Sequence, residues 1–256
     1  MSARILAITN QKGGVGKTTT SVNLGASLAA AKQRVLVVDL DPQANATMGS
    51  GIDKKKLRST IYHLLLGQKR IDEVLVRSET AQYDMLPANR DLAGAEIELV
   101  EETGRETRLK DALDSVAQNY DYILIDCPPA LNLLTVNGLC AAHAVMIPMQ
   151  CEYYALEGLS DLINTIKRVR ANLNSNLQIE GLLRTMFDPR NTLAQQVSDQ
   201  LQNHFGDKLY RTVIPRNVRL AEAPSYGLPA MVHDKSSKGA AAYLTLAGEL
   251  LNRHGA

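Results

Sequence analysis

Two kinds of stretch alternate along the chain. Short, almost wholly apolar runs recur at residues 5–8, 34–39, 84–87, 122–126, 144–149, 179–187 and 210–214. Runs of this length without polar alternation suit parallel strands covered on both faces. Between them, apolar residues fall at helical spacing. Val22, Leu24 and Leu28 follow the first run. Leu57, Ile61, Leu64 and Leu65 predict a helix that stops near Gly67. Residues 91–118 read as one or two helices, with alternating charges between Glu96 and Lys110 that mark an exposed face. Leu159, Leu162, Ile163, Ile166 and Val169 predict an amphipathic helix over residues 156–173, and a last helix is expected over 239–252. Seven strands alternating with helices predict an α/β fold. It is a doubly wound, mostly parallel sheet with helices on both faces, in one domain spanning residues 1–256.

The loop between the first run and the first helix carries the chemistry. It reads Gln11-Lys12-Gly13-Gly14-Val15-Gly16-Lys17-Thr18-Thr19. Strand, glycine-rich turn and helix is the context of a phosphate-binding loop. Glycines let consecutive backbone N–H groups converge on one anion, and the helix start adds the positive end of its dipole. Lys17 supplies a charge for the β- and γ-phosphates, and the Thr18 hydroxyl is placed to bind Mg²⁺. The loop departs from G-x-x-x-x-G-K-[ST], because Gln11 stands where the first glycine belongs and an extra lysine, Lys12, is present.

Acids end two of the later strands. Asp39-Leu40-Asp41-Pro42 closes the second run, at the strand end where α/β proteins bind ligands. Asp126 ends the run before Cys127-Pro128-Pro129, as an acid that holds a Mg²⁺-bound water would. Either acid alone is also an ordinary strand-to-loop turn. The sheet brings Lys17, Asp41 and Asp126 to one crevice.

Lys-Gly-Gly-Val-Gly-Lys-Thr-Thr resembles the deviant Walker A loop of the partition ATPases of the ParA/Soj type, related to MinD. The resemblance runs from Ile5 to about Leu250. It implies an ATP hydrolase that uses ATP and Mg²⁺, with Lys12, Lys17, Asp41 and Asp126 catalytic. It implies that residues 12–19 (Lys12, Gly13, Gly14, Val15, Gly16, Lys17, Thr18 and Thr19) hold the nucleotide. Lys12 then reaches across an ATP-bound homodimer, and Asp41 orients the attacking water. The metal would meet Thr18 directly and Asp126 through water.

The resemblance extends to two later segments, Thr185-Met186-Phe187-Asp188-Pro189-Arg190 and Ile214-Pro215-Arg216-Asn217-Val218-Arg219. It implies adenine contacts by Pro215 and Asn217, and contacts with non-specific double-stranded DNA by Arg190, Arg219 and Arg216. It further implies a ParB/Spo0J-like centromere-binding partner and a cytoplasmic, nucleoid-associated protein. Lys208, Arg211, Arg216 and Arg219 follow one another without an intervening acid, with Arg184 and Arg190 shortly before. As a bare cluster they are also a solvated face.

Composition narrows the alternatives. Among 256 residues the net charge is +1, so any basic surface is local. Cys127, Cys140 and Cys151 form no C-x-x-C pair, which suggests reduced thiols. The start, Met1-Ser2-Ala3-Arg4, shows no signal peptide, and no apolar run reaches transmembrane length. A membrane-cycling ATPase of the MinD kind would end in a basic amphipathic helix, whereas Leu250–Ala256 is expected to be too short and too weakly basic. An iron–sulfur carrier on this scaffold needs ligand cysteines at recognisable spacing. A kinase or small-molecule ligase needs a substrate pocket that the sequence does not reveal. No helix-turn-helix extension is expected before the loop, so operator-specific DNA binding is not expected either.

Overall fold

The computed structural model describes residues 3–153 and 155–255. Met1, Ser2 and Ala256, the ends of the terminal stretches considered above, lie outside the described residues. Eight strands form one sheet: β1 (Arg4–Ile8), β2 (Val35–Asp39), β3 (Val76–Ser78), β4 (Tyr83–Leu86), β5 (Tyr122–Asp126), β6 (Ala144–Met149), β7 (Gln178–Phe187) and β8 (Leu209–Pro215). Their order is β3-β4-β2-β5-β1-β6-β7-β8. All pairings are parallel except β3 with β4. The expected doubly wound, mostly parallel sheet is therefore present. β3 was not expected, because three residues on an antiparallel edge carry no apolar run.

Helices cover both faces. They are α1 (Lys17–Ala30), α2 (Asn45–Gly49), α3 (Ile61–Leu65), α4 (Leu92–Glu98), α5 (Arg108–Asp114), α6 (Leu133–Ala141), α7 (Ala155–Asn172), α8 (Thr192–Phe205), α9 (Val218–Glu222), α10 (Ala230–His233) and α11 (Lys238–His254). Leu57 falls before α3 rather than inside it. Residues 91–118 hold two separate helices, α4 and α5. None of the helices among the described residues is long and apolar enough to cross a membrane.

The central strands are buried along their whole length, β2 and β5 at every residue. Two apolar cores result. Val38, Ile123, Leu134 and Leu162 belong to one, and Leu24, Val37, Leu124 and Leu246 to the other. α1 lies close to the sheet because Gly25 faces it. A Cβ there would stand 2.9 Å from Val37 and 3.1 Å from the Tyr83 ring.

Side chains complete the polar groups of edge strand β8. The Glu249 carboxylate accepts the Arg211 and Thr212 amides at 2.9 and 2.8 Å. Arg184 and Arg253 donate to the Tyr210 and Leu209 carbonyls at 2.8 and 3.2 Å. Arg184, grouped with the cations before β8 in the sequence, is thus a structural residue; its other nitrogen donates to Ser198 at 2.8 Å.

Near the amino ends of the strands, buried Glu180 fastens the last helix to the sheet. Arg4 Nη2 lies 3.3 Å from its carboxylate and His254 Nε2 3.2 Å. The His254 ring also shares a hydrogen bond with the Tyr122 hydroxyl at 3.0 Å. Burial pushes the Glu180 carboxyl up, but His254 and Arg4 outweigh it and hold the group below its ordinary value. A depressed carboxyl stabilises the fold above the unfolded glutamate range, and that contribution is lost as pH falls through the folded-state value. Arg4 is 41% exposed and stays hydrated without its partner, which limits the loss. Glu180→Gln should therefore cost about 1–2 kcal/mol at pH 7. Urea unfolding of parent and variant should show that gap at pH 7 and a narrowed gap near about pH 4.

Candidate functional site

The loop after β1 turns through two left-handed glycines, Gly14 at φ 74° and Gly16 at φ 88°. Gly16 sits at the N-cap of α1 and offers no side chain to its amides, and the first turn holds no acid. A helix start leaves its first N–H groups unpaired, so these amides remain for an anion. A Cβ on Gly13 or Gly14 would meet nothing within 4 Å. The loop therefore faces open space while its glycine backbone bends around it. These features fit a nucleotide's phosphates.

The two loop lysines differ. Lys17 is buried, 7% exposed, and its ammonium donates to the Lys12 carbonyl at 3.1 Å. Burial pushes its pKa down, against the charges of Asp126, Cys127 and Asp41. Lys12 points outward and forms an ion pair with Glu152, both side chains about half exposed.

Two adjacent strands present the buried acids. Asp39 and Asp126 stand side by side in register on β2 and β5, next to Ile8 of β1, and both are fully buried. Burial raises both carboxyls above the usual carboxylate range; the charge of Asp39 raises Asp126 further, and the charge of Asp41 adds to both. Thr18 donates to Asp126 at 2.8 Å, and Ser21 donates to its second oxygen at 2.9 Å. Asp39 accepts both the amide and the hydroxyl of Thr47 at 2.8 Å, and the Asp41 amide at 3.1 Å. Asp41 itself is half-buried and turns its carboxylate back onto the Gln43 amide at 2.8 Å.

Thr18 and Asp126 offer two hard oxygen donors in contact. No group of three or more His, Cys, Asp or Glu able to hold a metal exists among the described residues. Few protein oxygens, completed by water and phosphate, is the usual environment of Mg²⁺, so the residues present fit that ion.

A cavity of about 220 Å³ opens beside the loop, lined by Gly16, Thr19, Thr185, Pro215, Asn217 and Tyr243 among others. The fold thus gathers Pro215 and Asn217 against the loop despite some 200 residues between them. Asn217 also holds the local backbone, since its side-chain oxygen caps α9 by accepting the Leu220 amide at 3.2 Å. A larger groove, about 860 Å³, lies elsewhere, between β8 and α11. Its Glu249 and Arg253 are occupied in holding β8.

The arginines are placed differently from their sequence appearance. Arg190 is 88% exposed but pairs with Asp188 at 2.8 Å. Arg219 pairs with Glu222 at 2.9 Å and Asp234 at 3.3 Å. Arg216 is exposed and has no partner among the described residues. Folding therefore brings acids to a segment that lacks them in sequence. The charge of Arg216, like that of Arg190, helps hold the Asp188 carboxyl down, at about 2.

Several polar side chains around the loop carry no motif of their own. Asn10 accepts the Lys12 amide at 3.0 Å and donates to the Pro148 carbonyl at 2.8 Å. Gln150 reaches the Gly14 carbonyl and Thr185 the Val15 carbonyl. Ser21, four residues past Lys17 and hence on the same helix face, is the one that spacing could have revealed.

Comparison with known proteins agrees with this geometry. Residues 3–179 match the family described as an AAA domain. The chain is 56% identical over 247 residues to the sporulation initiation inhibitor protein Soj of Bacillus subtilis, covering 96% of this chain and 98% of that one. It is 52% identical over 252 residues to the chromosome partitioning protein ParA of Caulobacter vibrioides, covering 98% and 94%. A crystal structure described as cobyrinic acid a,c-diamide synthase from Mycobacterium smegmatis, with a bound ATP analog and magnesium, superposes with a TM-score of 0.86. That chain is 40% identical, and the match covers 99% of this chain and 96% of that one. With an outward Lys12, a buried Lys17 and near full-length identity above 50%, the chain belongs to the ParA/Soj family of chromosome-partitioning ATPases.

Proposed function

We propose that this ATPase dimerises on ATP, binds DNA without sequence preference, and is returned to the monomer by hydrolysis that a ParB-like centromere-binding protein stimulates. The observation that carries the reading is the division between the loop lysines. Lys17 is buried within its own loop, whereas Lys12 projects from it, half exposed. A charge beside a phosphate site but aimed away from it suits the site of a second copy. Mg²⁺, when bound, neutralises phosphate charge; Thr18 and, through water, Asp126 would hold it.

The remaining residues divide the work. Amides of residues 13–19 and Lys17 bind the phosphates. Pro215 and Asn217 bind adenine in the adjoining cavity, where the Asn217 amide nitrogen stays available while its oxygen caps α9. Asp41 orients the attacking water from a loop that Asp39 anchors. Residues 1–256 act as one domain at the nucleoid in the cytoplasm. The ligase reading is weaker, because the relatives bearing partition names are 50–52% identical and the structure bearing the synthase name 40%.

DNA binding rests on Arg190, Arg216 and Arg219. Two of the three are paired with carboxylates, so a phosphate must compete with Asp188, Glu222 and Asp234 for them. Exposed pairs of this kind are worth only about 0–1 kcal/mol, so the competition is open to DNA. It still lowers the affinity of one copy. Two copies joined by ATP sum their patches, and nucleotide state becomes a DNA switch by avidity.

The first expected outcome concerns the dimer. Asp41→Ala should bind ATP, stop hydrolysing it and accumulate as a dimer in light scattering; an ATP-bound monomer would remove Asp41 from this role. Lys12→Ala should keep most of the monomer's nucleotide affinity and lose hydrolysis. Mixing the two inactive variants should restore activity at the one site per heterodimer that receives an intact Lys12 and an intact Asp41. No recovery at any ratio would argue that Lys12 acts only within its own subunit.

The second concerns charge. With ATP, affinity for two unrelated duplexes should fall equally and steeply with salt, by a slope of about −0.9 per phosphate contacted. Arg219→Ala should reduce that slope by roughly one or two units for both duplexes, the dimer being counted twice. Asp188→Asn should act in the opposite direction and tighten binding a few-fold, because it frees Arg190. A preference for one duplex, or no response to either substitution, would place the DNA surface elsewhere.

A further inference from the structure

Phosphate binding by backbone amides raises a geometric problem at this loop. In a trans peptide the carbonyl and the following N–H point in opposite directions. An amide can face the anion only if the carbonyl of the same peptide unit faces away from it. Peptides flanked by glycine rotate easily, and here both Gly14 and Gly16 are in the left-handed region. Something must hold these planes.

Two side chains from neighbouring strands contact the carbonyls concerned. The Thr185 hydroxyl, on β7, donates to the Val15 carbonyl at 2.8 Å. That carbonyl belongs to the peptide unit carrying the Gly16 N–H. The Gln150 amide, just past β6, donates to the Gly14 carbonyl at 3.2 Å, in the unit carrying the Val15 N–H. Thr185 is 2% exposed, so no water replaces its hydroxyl cheaply. Its methyl lies 3.7 Å from where a Cβ on Gly16 would stand.

We propose that Thr185 and Gln150 are positioning residues for the ATP reaction, fixing two successive peptide planes so that the amides of Val15 and Gly16 face the phosphates. The proposal rests on residues 12–19 being the phosphate site. It separates two roles within Thr185: the hydroxyl aims the loop, and the methyl fills space. Amides that meet the phosphates before and during reaction contribute mainly uniform binding, which changes KM rather than kcat.

Calorimetric titration with Mg·ATP and steady-state hydrolysis on four variants test this, each checked for folding by its thermal transition. Thr185→Val keeps the volume and removes the donor. It should weaken ATP binding about tenfold, raise KM to match and leave kcat within about twofold. Thr185→Ser removes the methyl and keeps the donor, so its affinity should stay within about twofold of the parent even if its transition falls. Gln150→Met, at a partly exposed position that tolerates change, should weaken binding about threefold. Lys17→Ala should lose binding. Valine and serine variants equally weakened would make Thr185 a packing residue. Parental affinity in both Thr185→Val and Gln150→Met, with Lys17→Ala inactive, would overturn the proposal and leave the phosphate site standing. Parental affinity in Lys17→Ala would instead remove the phosphate site itself, and the proposal with it.

Discussion

Two buried carboxylates side by side set the terms for everything at the carboxyl edge of the sheet. Asp39 and Asp126 are adjacent in register, fully buried and raised by burial, Asp126 further by the charge of Asp39. Such a pair persists only where every remaining lone pair finds a donor. Thr18 and Ser21 serve Asp126; Thr47 and the Asp41 backbone serve Asp39. The first helix and the loop after β2 are therefore located by the need to keep these acids hydrogen-bonded. Buried Lys17 adds a nearby cation. The side chains that line the crevice are thus the ones that satisfy its buried acids.

The same logic governs the loops that carry no buried charge. Arg190 and Arg219 lie at the surface and pair there with acids, Arg190 with Asp188, and Arg219 with Glu222 and with the more distant Asp234. Lys12 pairs at the surface with Glu152, far along the chain. Those pairs are interchangeable with solvent or another ligand, whereas the Asp126 contacts are not. The molecule thus has a floor of buried, hydrogen-bonded acids and exchangeable charged groups around it.

The sheet and the loop were legible because their signals are local. An apolar run such as residues 122–125 has no other stable destination than a covered strand, and Gly14 and Gly16 are required by the backbone itself. What stayed hidden depends on distance along the chain. Thr185 and Gln150 stand 170 and 136 residues from the carbonyls they hold, and although Thr185 opens a segment singled out for its arginine, nothing in the sequence marks either contact. Arg184 and Arg190 look alike in sequence, yet one is locked beneath β8 and the other is 88% exposed. α8 has a faint signal because Ala194, Val197 and Leu201 offer only three apolar inward positions among polar neighbours. α3 is shorter than its apolar spacing suggests because Leu57 packs from an irregular segment against the other core, while Ile61, Leu64 and Leu65 enter theirs from the helix.

The sealing of β8 has a consequence for how copies of this protein can meet. Its carbonyls and amides are taken up by Arg184, Arg253 and Glu249. At the opposite margin β3 is only three residues long and carries the Arg77–Asp84 pair. Neither margin offers a row of free backbone groups on which another chain could template a strand. At high local concentration, open sheet margins fuse copies of a protein irreversibly by strand pairing. With both margins blunted, strand templating is closed as a route by which copies of this chain could join.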